Sequence, residues 1–225
     1  MLPYSQSRAQ TGKTYPTVSK RTEALTNSPI KQISADLFQI GLATINKKER
    51  TVSFPAIVNM SSNLIEFVCD GGDTKLHESL FRTEASPLHI HLAALLLSKP
   101  ATNSAGSTNG QPIAISVLWD DGKQKANLEE LISKRDPKKG GDATMPNGNW
   151  IYTGWNQYAG KMPAEISGVV IALLGDSTAL INSRDQDHEN DEIWYVNDKK
   201  TPRVGTPVEI ILKFPLNSND KKPSN

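Results

Sequence analysis

LIEFVCDGGDTKLHESLFRTEASPLHIHLAALLL, residues 64–97, holds the transition on which the fold turns. The part around LIEFVCD is a run of β-branched and aromatic residues ended by Gly71 and Gly72, and it reads as a strand. KLHESLFR reads as a second strand. Ser86 and Pro87 then open a helix, because a serine side chain accepts an orphan amide hydrogen and proline tolerates the first helical position. LHIHLAALLLS continues with strong helix formers until Pro100. Leucine, isoleucine and alanine fall almost all the way round, which predicts a helix over about 87–97, buried on more than one side, with Leu92 and Leu96 in the core.

The same stretch carries His77, His89 and His91. On a helix, residues two apart point about 200° from one another, so His89 and His91 do not share a metal ion. Only a strand would put both imidazoles on one face. His77 starts the preceding strand, roughly 15 Å from His89 along the chain at about 3.3 Å per residue. The expectation is an edge histidine and two histidines flanking a buried helix, with no metal site and no cofactor.

Working outward, LFQIGLATINKKERTVSFPAIVNM reads as two strands joined by a polar turn at 46–50, which would make a meander with the two strands above. Downstream, PIAISVLWD is a strand, NLEELISK a short helix, WIYTGW of strand composition, and GVVIALLGD a strongly buried strand. STALINS reads as a helical turn, and IWYVND and TPVEIILKF as strands. Strands outnumber helices, and most connections are short for parallel crossovers. The pattern predicts an α+β fold: a mainly antiparallel β-sheet with a buried helix (about 87–97) and one or two short helices. Residues 1–30 lack core-forming periodicity and are expected to form a flexible arm; 31–216 form a single α+β domain, with an exposed loop at 99–111 and a flexible tail at 217–225.

Charge and cysteine narrow the function classes. Across 225 residues, 25 basic and 24 acidic side chains leave a formal charge of +1, so no global field draws the chain to nucleic acid or acidic membranes. Cys69 is the single cysteine, which excludes a disulfide within the chain and a thiolate zinc site. In the apolar run LIEFVC it reads as a small buried thiol. No stretch of about 18 apolar residues offers a membrane span, and MLPYSQSRAQTGKTYPTVSK lacks the apolar region of a signal peptide.

The segments FPAIVN, LIEFVCDGGDTKLHESLFRTEASPLHIHLAALLL, AISVLWDDG, GVVIALLGDSTALIN and EIWYVN, in this order, resemble the YdjY-like family of exported bacterial proteins over roughly residues 35–214. The resemblance implies an exported, periplasmic or cell-envelope domain. It supplies no reaction, cofactor or catalytic residue. In WIYTGW, Trp155 stands where the family more usually has a small residue.

Three constellations carry candidate chemistry. RDQDHENDE spaces Asp185, Asp187, Glu189 and Asp191 by two, as a calcium loop does, but Asn190 stands where an EF-hand has its bending glycine and Val196 where the bidentate glutamate belongs. A solvated acidic loop is expected. Asp70 and Asp176 each follow an apolar run, and a pair of carboxylates sharing a proton is the acid–base device of aspartic peptidases; the turns here read DGG and DST in place of that family's motif. Lys138 and Lys139 precede Trp150, Tyr152 and Trp155, a basic and aromatic region (123–155) able to hold a ligand or, as a lesser alternative, nucleic acid. The leading expectation is a non-catalytic module binding an unknown protein or small molecule. The alternative is a secreted acid hydrolase using Asp70 and Asp176.

Overall fold

The computed structural model describes residues 30–98, 110–135, 141–154 and 163–216. In chain order the strands of the first part are β1 (Lys31–Gln32), β2 (Leu37–Ile40), β3 (Ala43–Asn46), β4 (Thr51–Val58), β5 (Phe67–Asp70) and β6 (Ser79–Arg82), followed by helix α1 (Pro87–Leu95). Then come β7 (Gln111–Trp119), β8 (Gln124–Asn127), β9 (Ile132–Arg135), β10 (Asp142–Thr144) and β11 (Trp150–Tyr152). The short helix α2 (Pro163–Ser167) precedes β12 (Val169–Ala172), β13 (Ile181–Ser183), β14 (Trp194–Val196) and β15 (Pro207–Lys213).

Alternation of side chains builds the inner wall. Val52, Phe54, Ala56 and Val58 of β4 are buried between partly or fully exposed neighbours, as are Val208, Ile210 and Leu212 of β15 and Ile113, Ile115 and Val117 of β7. The register sets Ile210 opposite both Phe54 and Val117, so inward residues of three strands meet in layers. From β15 the sheet runs through β7, β11, β13, β12, β5 and β6, and β6 pairs back onto β4. Eight strands thus close into a barrel whose interior is filled by side chains. β5 and β12 are buried on both faces, because Phe67, Val169, Ala172 and Ala179 form a small second cluster of their own.

Each end of the barrel is covered. Helix α1 lies over the end at which β4 starts and β11 and β15 finish: it packs against β2, β3 and β4, Leu97 O accepts a hydrogen bond from Arg50, and His91 meets Tyr152. Ser86 caps the helix, its Oγ accepting from His89 N at 3.3 Å, with Pro87 in the first turn. At the opposite end sits the three-stranded sheet β10–β9–β14, tied to the chain entering β5 by a bridge between Leu64 and Tyr195.

The chain is therefore mostly β, and the expected α+β fold, a mainly antiparallel sheet with a buried helix over 87–97, is corrected to a closed barrel. Two facts account for the difference. Closure rests on pairs distant in sequence, Ile57 with Arg82 and Val58 with Phe81, which no local periodicity records. Two neighbouring pairs, β5–β6 and β12–β13, run parallel although their connections are short. The helix is a cover for a barrel end: Leu95 and Leu96 are 51% and 48% exposed, so Leu96 is outside the core in which the sequence placed it. NLEELISK forms a single tight turn at Leu128–Leu131 and then β9, and STALINS contributes β13 in place of a helical turn. The strand expected before the turn at 46–50 is split into β2 and β3 at Gly41, whose φ of +56° suits glycine. The expected arm up to residue 29, the loop at 99–109 and the tail from 217 lie outside the described residues.

Ile210→Ala removes a fully buried residue from the middle of the barrel and is expected to cost about 2–5 kcal/mol in denaturant unfolding. Leu96→Ala is expected to stay within about 0.5 kcal/mol of the parent, as exposed positions do.

Candidate functional site

Beyond its pairing with β6, β4 leaves the ladder. Thr83 Oγ1 donates to Pro55 O at 2.6 Å, so a side chain takes over where the backbones part. The opening is a cleft of about 180 Å³ whose lining includes Leu42, Pro55, Ile57, Leu76, Arg82 and Thr83 together with Asp70, Asp73 and Glu84. Its floor is apolar and its size falls below the roughly 300–1,000 Å³ of small-molecule sites, so it suits one or two side chains of another chain. The sequence reading missed this cleft. Its signal was Pro55 inside a strand pattern, which marks an edge or an interruption of the ladder.

Asp70, at the end of β5, is fully buried. Its Oδ1 accepts from Gly72 N at 2.8 Å, while Oδ2 is buried with no hydrogen-bond partner. Burial raises its pKa, against the smaller lowering effect of the amides of Gly72, Lys75 and Gly71. Gly168 (φ +85°) closes over this carboxylate, and a Cβ there would stand 2.3 Å from Gly72 N and 2.5 Å from Asp70 Oδ1. Asp176 is held by its own turn: Oδ1 accepts from Thr178 N and Oγ1, both at 2.7 Å, and Asp176 N donates to Asn182 Oδ1. Each carboxylate is thus organised locally, and the unpartnered oxygen of Asp70 makes no hydrogen bond to Asp176.

Trp150 and Tyr152 belong to the barrel wall. Trp150 is fully buried, and Tyr152 packs edge-on against Phe214 at 5.7 Å between ring centres. Neither offers an open face for stacking. Lys138, Lys139 and Trp155 lie outside the described residues.

The histidines diverge as their helical spacing requires. His91 Nδ1 is 2.7 Å from the Tyr152 hydroxyl, and burial pushes the His91 pKa down to about 4 and that of Tyr152 up. His89 packs against the backbone of Gly41, where a Cβ would come within 2.0 Å of its ring; burial lowers its pKa although Glu165 opposes the shift. His77 is exposed, 3.1 Å from Glu78. Among the described residues, no three His, Cys, Asp or Glu side chains are grouped to hold a metal.

The acidic loop already has its cation. Lys134 Nζ lies 2.8 Å from Asp185 Oδ1, 2.5 Å from Asp187 Oδ2 and 5.0 Å from the centre of the Trp194 ring. Burial depresses the Lys134 pKa, but its hydrogen bonds to the two aspartates outweigh this and leave it raised. Asp185, 4% exposed, is paired in the way buried charges require.

The YdjY domain family model matches residues 43–213, from β3 through β15 and so the whole barrel. The chain belongs to the YdjY domain family. No curated protein and no solved structure matches it significantly.

The His91–Tyr152 pair sets a pH dependence. A histidine whose folded pKa is depressed stabilises fully above its ordinary value of 6.5, and that stability is lost as pH falls from there toward about 4. Unfolding midpoints are expected to fall over this window in the parent and to fall less in His91→Gln.

Proposed function

We propose that the chain is a non-catalytic binding module of the cell envelope, and that a short apolar segment of a partner protein seats in the cleft between β4 and the turn after β5. One observation carries this reading: the barrel interior is filled with side chains, whereas the cleft at Pro55 and Ile57 exposes an apolar floor whose lining also includes Arg82, Asp73 and Glu84. Such a floor with charged walls gives register to a bound segment, since its apolar contacts supply affinity and its polar contacts orientation. Export is the part of the reading that rests on the family resemblance alone.

A photoreactive amino acid at Ile57 is expected to give a discrete cross-linked species in producing cells, absent when the same group replaces exposed Lys125 on β8. Ile57→Glu should remove that partner from co-purification without lowering the melting temperature by more than a few degrees. Equal cross-linking at both positions would refute the cleft as the binding site. Acid peptidase activity of the parent that is lost in Asp70→Asn would replace the reading with a hydrolase.

A further inference from the structure

We infer that the flank of the barrel end beside the C-terminus of α1 docks onto the surface of an anionic lipid bilayer. Leu95 and Leu96 at the end of α1 are 51% and 48% exposed, and Leu216, just after β15, is 69% exposed. Three segments far apart in sequence are gathered at one point by Arg50, whose Nη2 donates to Leu97 O at 2.5 Å and whose Nε donates to Pro215 O at 2.9 Å. The leucines stand one or two residues from these two carbonyls, so the fold brings their exposed side chains to one region of the surface, where singly scattered apolar residues would need no explanation.

The rim selects the partner. The turn between β3 and β4 presents exposed Lys47 and Lys48, and Lys213 joins it through a bond from its Nζ to Glu49 O. With Arg50, the turn and the end of β15 bring four cations to this end of the barrel, against Asp36 and Glu49; Lys213 pairs with Glu49, and Lys47 lies over the Phe38 ring at 4.2 Å. In a chain whose formal charge is only +1, this is a local excess. A small apolar patch with lysines on the adjoining turn matches the boundary between anionic headgroups and acyl chains, where leucines enter and ammonium groups stay at the phosphates. The inferred contact is a peripheral one, made by surface side chains; no helix among the described residues is long and apolar enough to cross a membrane. A second copy of the chain fits less well: a two-fold interface would set lysines against lysines, and three leucines are a small part of the roughly 800 Å² per partner of a standard interface. The cleft lies toward the start of α1 with Asp73 and Glu84, whose charge turns that side from an anionic surface and leaves it accessible.

Flotation of the full chain with vesicles tests this, comparing phosphatidylglycerol mixed into phosphatidylcholine with phosphatidylcholine alone. Binding is expected on the anionic vesicles, weakening with added salt. Lys47→Gln with Lys48→Gln should reduce partitioning about 25-fold, near fivefold per lysine. Leu95→Asp with Leu96→Asp should abolish it while the melting curve keeps its cooperativity; the lysine pair, on an exposed turn, decides the matter if the leucine pair fails to fold. The inference is overturned if the parent floats with neither vesicle, if partitioning is indifferent to the lysine changes, or if sedimentation reveals a dimer that the leucine changes dissolve and that binds no vesicle.

Discussion

The pairing of β4 with β6, Ile57 against Arg82 and Val58 against Phe81, is the constraint on which the remaining architecture depends. Without it the sheet would stay open, with β6 as an edge strand presenting unpaired backbone groups. With it, the inner faces of β4, β15 and β7 enclose one core, and Phe54, Ile210 and Val117 occupy a common layer. The contact is short, and its shortness makes the cleft: past Arg82 the backbones separate, Thr83 bridges to Pro55, and the wall opens. Closure and candidate site are two consequences of one short ladder.

A filled barrel must also shut its ends, and here the two ends use different chemistry. Helix α1 closes one with apolar residues and the polar contact of His91 with Tyr152, while Glu165 of α2 accepts from Ser86 Oγ and Leu88 N at the helix start. An anion at a helix N-terminus meets unsatisfied amides there, so the pair fixes where the helix begins. At the other end, Lys134 joins the acidic loop to Trp194 and β9. The apolar lid leaves leucines outside, and the polar lid does not.

What was legible in the sequence follows from how local each signal is. The cap at Ser86 and Pro87, the burial of Cys69 and the opposite aims of His89 and His91 each depend on a few adjacent residues, and each is present in the structure. Asp70 and Asp176 looked alike as aspartates after apolar runs, but their environments differ: burial acts on the first, while the second is bonded to Thr178 in its own turn. The basic and aromatic run likewise looked like a surface because its composition is polar around tryptophan, yet Trp150 and Tyr152 point into the wall.

The sequence by itself determined the β-rich content, the alternation that gives each strand an inner face, the start of α1, and membership of the YdjY family across 43–213. These are properties of neighbouring residues, set by steric preference, capping and side-chain period. Only the tertiary structure decided that the sheet closes, that β5–β6 and β12–β13 run parallel, that Leu95 and Leu96 face outward beside Leu216, and that Lys134 answers Asp185. Each of these joins residues far apart in the chain, and the free energy that selects them comes from long-range packing and pairing that local pattern does not encode.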